Sequence, residues 1–550
     1  MLYTEDKNAH IVINLLKKFG IRKIVVSPGT TNVPIAMTVQ NDPWFEVYSV
    51  VDERSAAYFA TGLSFESNEP VVLSCTGATA SRNYMSGLTE AYYRNIPVIA
   101  ITSQHHTSDY RNMVPQITDR RVSQNDIKRM SALLPFIKDD EDWEACEILV
   151  NDALIQATTK GSGPVHINLP VDSSYKFSEN KILPDPVKID YYSQLEVNEH
   201  QKELKAELKG KRVAIFMGSH KKFTPELKKA IGSFIKTYDC AILTDHTSNY
   251  SGKNKILTGQ LYDLVQSENN PDLIIDMGSI SGDYSIIKLD VNVPVWRISE
   301  DGEIHKRFRK GRLEKLLDCP EHLFFETLSS GRGGSNKYYL SLKKEIDNIV
   351  YPELPLSATY IAGELTKHIP KGASLHLSIL NSLRNTNNYD LDSSVAVSSN
   401  VGGFGIDGPV STLIGQSMYD QDKLFFGLIG DLAFFYDMNA LGIRHISNNV
   451  RILLINNGQG VEFRLNATLE DQWSDATDDL IAAKGHNGVA ESWVKSMGFE
   501  YISARNKEEF DVNIKEFCSE SNDAYKKPVV FEVFTKIDDE QAGFDLIRMQ

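Results

Sequence analysis

The chain has 550 residues, with 58 Lys and Arg against 73 Asp and Glu, a formal charge of 58 − 73 = −15. Such an acidic chain, 41% hydrophobic and 24% charged, excludes a basic nucleic-acid-binding face and an anionic membrane surface as its main partner, since both favour clustered positive charge. At about 150 residues per domain the length predicts three to four domains, each able to bury a core.

The first ten residues, MLYTEDKNAH, place acids where a signal peptide carries bases, and no apolar run nears the roughly 20 residues of a membrane span. Residues 23–26 (KIVV) read as a buried strand entering the loop Ser27-Pro28-Gly29-Thr30-Thr31-Asn32. A strand over 45–51, a helix over 54–66, a strand over 71–75, a helix over 84–93, a strand over 97–102 and a last strand within 163–170 follow. Alternation of this kind predicts a parallel sheet covered by helices. Residues 171–192, with Pro184 and Pro186 among polar neighbours, read as a linker. A second pattern has strands over 212–217, 240–244, 273–277 and 293–298, and it ends at the break GRGGSNK, 331–337. The third, from 351, has strands over 373–377, 424–429, 451–455 and 529–533. The expected class is α/β, with three consecutive domains over 1–180, 190–335 and 350–550. The five cysteines (Cys75, Cys146, Cys240, Cys319, Cys518) are far apart and form no C-x-x-C pair, so neither a disulfide framework nor a structural zinc site is expected. The expectation is a reduced, soluble, cytoplasmic protein.

Residues 424–460 carry the most chemistry. A buried strand ends in Gly430-Asp431, a helix crosses over, and a second strand ends in Asn456-Asn457-Gly458, 457 − 431 = 26 positions later. One βαβ unit of that length brings both polar ends to the carboxyl edge of one sheet, where open α/β folds bind ligands. A carboxylate and an amide oxygen are hard ligands suited to Mg²⁺, which completes its shell with water and phosphate oxygens. Gly430 leaves room for a phosphate, and the following helix N-terminus favours the anion. Taken alone, the same residues equally make a helix start and a turn.

GD…NN after paired strands resembles the diphosphate and metal motif of the thiamine-diphosphate (ThDP) enzymes. Asp52-Glu53-Arg54, Thr76-Gly77-Ala78-Thr79, the segment 163–170 and Gly405-Ile406-Asp407-Gly408 stand in that superfamily's order. The branch it resembles is the menaquinone-pathway synthase of 2-succinyl-5-enolpyruvyl-6-hydroxy-3-cyclohexene-1-carboxylate, whose Ser-Pro-Gly, Asp-Glu-Arg, Gly-Ile-Asp-Gly-x-x-Ser-Thr and Gly-Asp-Leu-x-x-x-x-Asp-x-Asn motifs match 27–29, 52–54, 405–412 and 430–439.

The resemblance implies a ThDP-binding fold in the order pyrimidine domain, Rossmann-like middle domain, diphosphate domain, with ThDP and Mg²⁺ as cofactors. It implies Glu53 as the catalytic carboxyl on the pyrimidine N1′. Asp431, Asn457 and the Gln459 backbone carbonyl would hold the metal; Gly430, Leu432, Asn381 and Ser382 would neighbour the diphosphate. Gly405 and Ile406 would support the bent cofactor, and Gln116 matches a glutamine that orients an intermediate oxygen. His105 and His106 follow the strand ending at Thr102 and suit proton handling near neutrality. Val461 and Phe463 are candidate pocket walls, and Arg384 a candidate carboxylate anchor. The implied reaction decarboxylates a 2-oxo acid and transfers the acyl-anion equivalent to a carbonyl acceptor, in a homodimer or homotetramer. Thr31, His105, Thr386 and Val401 stand where that branch carries arginines, so an altered substrate pocket is expected, because arginines are the bidentate carboxylate readers. The alternatives are a 2-oxo acid decarboxylase releasing an aldehyde, the true menaquinone-pathway synthase, and a non-catalytic paralogue. The middle block lacks G-x-G-x-x-G, which leaves a dinucleotide role there weakly supported.

Overall fold

The computed structural model describes residues 2–105, 109, 112–119, 123–172, 175–179, 185–261, 269–283, 291–465, 479–520 and 525–548. The chain folds as two compact units, residues 1–191 and 192–550. In the first, strands β1 (Lys23–Val26), β2 (Glu46–Ser49), β3 (Val71–Thr76), β4 (Val98–Gln104), β5 (Met130–Leu133) and β6 (Val165–Pro170) form one sheet in the order β2-β1-β3-β4-β6-β5. Every pairing in it is parallel. Its central strands, VVLSCT and VIAITSQ, start apolar and are buried almost from end to end, because helices cover both faces. Helices Lys7–Lys18 and Asp140–Thr158 pack on one face through Leu15, Leu16, Val150 and Leu154. Helices Glu53–Ser67 and Met85–Tyr93 pack on the other through Ala56, Ala57, Ala60 and Leu88.

The second unit contains two sheets. One runs through β7 (Asp190–Ser193), β8 (Arg212–Met217), β9 (Asp239–Thr244), β10 (Lys255–Leu257), β11 (Leu273–Met277), β12 (Pro294–Ile298) and β13 (Arg312–Asp318). Its order, β10-β9-β8-β11-β12-β13 with β7 at the edge where the chain enters the unit, is the doubly wound 3-2-1-4-5-6 arrangement. The other runs through β14 (Ser374–Leu377), β15 (Ala396–Ser399), β16 (Phe425–Gly430), β17 (Val450–Asn456), β18 (Glu500–Ala504) and β19 (Val529–Phe534), ordered β15-β14-β16-β17-β19-β18. That is the strand order of the first unit's sheet, position for position, and all its pairings are again parallel.

Within this unit several hydrogen bonds join the two sheets, among them Asn387 Nδ2 to Asp283 Oδ2 at 3.2 Å. The Asn249 side chain pairs with both backbone groups of Val397, accepting from its N–H at 2.8 Å and donating to its carbonyl at 2.9 Å. The His246 N–H donates to Asn387 Oδ1 at 3.1 Å. β5, β7, β10, β13, β15 and β18 fall outside the strands expected from sequence; they lie at sheet edges or next to one, where half-exposed residues break the apolar run. The 171–192 segment also carries order: Phe177–Ser178 pairs with Tyr3–Thr4. All five cysteines are buried. No helix among the described residues is long and apolar enough to cross a membrane.

Candidate active site

The third sheet reverses direction between β14 and β16, and the chain segments leaving β14, β16 and β17 carry the candidate phosphate and metal residues. Such a switch point opens a crevice at the carboxyl edge of the strands. Asp431 opens the helix Asp431–Tyr436 and is 3% exposed. Its Oδ2 accepts three hydrogens, from the Asn457 N–H at 3.0 Å, the Gly458 N–H at 2.7 Å and His486 Nε2 at 3.1 Å. Its Oδ1 accepts one, from the Leu432 N–H at 2.7 Å. Burial pushes this carboxyl up from its ordinary range, against the pull of those donors. The turn after β17 is tight: Gly458 has φ +80°, a left-handed value that favours glycine, and the Gln459 N–H donates to Asn457 Oδ1 at 3.2 Å.

Three features of this chain fit a metal–diphosphate group here. The donors gathered are a carboxylate and an amide oxygen, the hard set Mg²⁺ takes. Gln459 is 3% exposed and its Nε2 is buried without a hydrogen-bond partner, a polar atom awaiting an acceptor. Above Gly430 no heavy atom lies within 4 Å of where a Cβ would stand, so an anion meets bare backbone. The crossover itself is shorter than expected, a six-residue helix followed by the 3₁₀ turn Met438–Gly442.

Asn381 and Ser382 begin the helix Asn381–Thr386, behind Leu380 at φ 65°, a strained value for a residue of that shape. Ser382 is buried and its carbonyl accepts from the Thr386 hydroxyl at 2.7 Å. Gly405 and Ile406 lie before the helix Pro409–Ser417, with Ile406 exposed. Asp437 ties that loop to the metal helix: its carboxylate accepts the Ser411 N–H and hydroxyl, each at 2.6 Å. Val461 is buried and Phe463 half-exposed beside the metal loop. Arg384, the candidate anchor, donates through Nη1 to Glu462 Oε1 at 2.5 Å.

In the first unit Glu53 is the first residue of the helix Glu53–Ser67, and Asp52 caps that helix by accepting the N–H groups of Arg54 and Ser55 at 3.0 and 3.3 Å. The helix sits close to its neighbour because Gly87 leaves no side chain; a Cβ there would lie 2.5 Å from that of Ala57. Gly29 of the Ser-Pro-Gly loop likewise lies against Thr76, whose Cγ2 would be 2.1 Å from an added Cβ. Thr31 is buried and donates to the Ser103 carbonyl at 2.8 Å. His105 follows β4 half-buried, and Gln116 is exposed at φ 67°; His106 lies outside the described residues.

The family model of the thiamine pyrophosphate enzyme N-terminal TPP binding domain matches residues 6–131. Three relatives are similar along their whole length, each a 2-succinyl-5-enolpyruvyl-6-hydroxy-3-cyclohexene-1-carboxylate synthase. The Bacteroides thetaiotaomicron protein is 31% identical over 556 residues, covering 97% of both chains. The Bacteroides fragilis protein is 30% identical with the same coverage of both, and that of Phocaeicola vulgatus is 30% identical over 100% of this chain and 98% of its own. The chain belongs to the thiamine pyrophosphate enzymes. It falls in the branch of these synthases, and as a family member it is a ThDP-dependent enzyme of C–C bond-forming and decarboxylating chemistry. Three residues beside the family's metal motif escaped the sequence reading. Asp437 stands inside the matched 430–439 segment and was left without a role. His486 has no motif. Glu532 stands as a lone acid in the run VVFEVF, and a charge inside a strand covered on both faces signals a buried partner set.

Proposed function

We propose that this enzyme decarboxylates 2-oxoglutarate and joins the remaining four-carbon fragment to isochorismate, the synthase reaction of its named relatives. The observation that carries this is likeness over the whole chain: 30–31% identity across 97–100% of it. Bound ThDP supplies a carbanion equivalent able to cleave the bond beside a 2-oxo group. Glu53 holds a proton against the pyrimidine ring, where its place at a capped helix start fixes its direction. Asp431, Asn457 and the Gln459 carbonyl hold Mg²⁺; Gly430, Leu432, Asn381 and Ser382 receive the diphosphate; Gly405 and Ile406 support the ring system. Gln116, His105 and His106 attend the substrate. The division into a pyrimidine domain over 1–180, a middle domain over 190–335 and a diphosphate domain over 350–550 belongs to this reading, as do a cytoplasmic homodimer or homotetramer and free small-molecule substrates.

A different acid pair is the second reading. Thr31, Thr386 and Val401 are short, uncharged and buried, at 5%, 0% and 5% exposure, where guanidinium contacts of about 1.5–3 kcal/mol each are expected in the branch. The test is product analysis with ThDP and Mg²⁺, pairing 2-oxoglutarate with isochorismate and running pyruvate beside it. Ligated product from the first pair supports the synthase reading. CO₂ from pyruvate with none from 2-oxoglutarate moves the assignment to the second.

A further inference from the structure

We propose that Glu532 is the positioning residue of the metal loop, holding the Asp431 carboxylate through Asn456 and the 486–490 segment so that Oδ1 faces a divalent cation. The proposal rests on the reading of Asp431 and Asn457 as metal ligands. Glu532 stands on β19 beside β17 with no exposed surface. A buried carboxyl needs donors, and those of Glu532 come from the segments that flank the metal loop. Asn456 Nδ2 donates to Oε1 at 2.7 Å, the Ala490 N–H to Oε2 at 3.1 Å and the Tyr501 hydroxyl to Oε2 at 2.7 Å.

From these contacts two paths reach Asp431. Asn456 is the residue before Asn457, so fixing its side chain fixes the start of the metal turn. The same amide donates to the Gly488 carbonyl at 2.9 Å, which with Ala490 pins the segment carrying His486. The Gly488 N–H donates to His486 Nδ1 at 3.3 Å, so Nε2 bears the hydrogen that Asp431 Oδ2 accepts at 3.1 Å. Packing supports the ring's place: Phe435 meets it edge-on at 5.4 Å, and a Cβ at Gly488 would stand 3.2 Å from Phe435. Oδ2 is thereby saturated by three donors while Oδ1 has one. Groups that orient a ligand from behind in this way set metal affinity.

The test is Mn²⁺ binding to the full-length protein with ThDP present, read from the paramagnetic resonance of the free ion. Glu532→Gln and His486→Gln are each expected to weaken Mn²⁺ about 10- to 100-fold. The double variant is expected to lose no more than the weaker single variant, because His486 lies on one of the two paths that Glu532 holds. A purely architectural role would lower the melting temperature and leave Mn²⁺ affinity unchanged, which overturns the proposal, as do additive losses in the double variant. Should Glu532→Gln fail to fold, His486→Gln decides alone, and wild-type affinity there overturns it. Asp431→Ala separates the two levels. If that variant binds Mn²⁺ normally, the metal reading itself fails; if it does not bind while the other two do so normally, only the positioning role fails.

Discussion

Three donors on one oxygen of Asp431 and one on the other make its carboxylate directional. Asp431→Ala is therefore expected to abolish Mg²⁺-dependent ThDP binding while the fold persists, checked by calorimetric titration of ThDP with and without the metal. Glu53→Gln keeps a hydrogen-bonding group at the helix start but removes the exchangeable carboxyl proton. ThDP binding is expected to survive and turnover to fall by about 10²–10⁴, the usual worth of a positioned acid–base group; turnover near the wild-type rate would remove Glu53 from that role. Both positions are legible in the sequence because each stands in a short motif just after a strand, Asp52-Glu53-Arg54 after β2 and Gly430-Asp431 at the end of β16. His486 is not, since it reaches Asp431 from 486 − 431 = 55 positions away and stands in no motif. Arg384 shows the same limit: a sequence displays its charge but not the Glu462 that pairs with it.

Helices show the same split between local signal and distant partner. Helix Ala358–His368 starts at Ser357, whose hydroxyl accepts the Tyr360 N–H at 3.4 Å. Its first N–H, that of Ala358, is taken by Glu540 from the far C-terminal helix at 2.9 Å. The serine cap is a readable sequence signal, whereas the carboxyl 182 residues away is not. Burial raises that carboxyl from 4.5 to about 7. The folded chain thus keeps a proton that the unfolded chain releases above 4.5, so this contribution is complete below pH 4.5 and is lost as pH rises towards 7. Its size is on the order of 3 kcal/mol. Denaturant midpoints of wild type and Glu540→Gln at pH 5 and pH 7 check it: the wild type should lose stability over that interval relative to the variant. Strands β8 and β11 were read to the residue because VAIFM is an unbroken apolar run and LIIDM is broken only by Asp276, while β15 and β18, AVSS and EYISA, look like loops until a neighbour pairs with them.

At the scale of the molecule, the first and last sheets share one strand order, a duplication invisible in the residues because topology repeats where sequence does not. The junction of the last two sheets is also a long-range matter. Asn249 completes the backbone pairing of Val397 with two hydrogen bonds, each of about 1 kcal/mol. Asn249→Ala is expected to cost about 2 kcal/mol and to lower the calorimetric transition of residues 192–550 without moving that of 1–191. The buried cysteines supply the means to see this. Burial pushes the thiols of Cys240 and Cys319 up to about 12 and raises those of Cys146 and Cys518 as well, so these four offer an alkylating reagent almost no thiolate while the chain is folded. Modification must then wait for local opening. Cys75 and Cys146 lie in the first unit and Cys240, Cys319 and Cys518 in the second, so the order in which their peptides gain mass is a native clock of which half of the enzyme opens first.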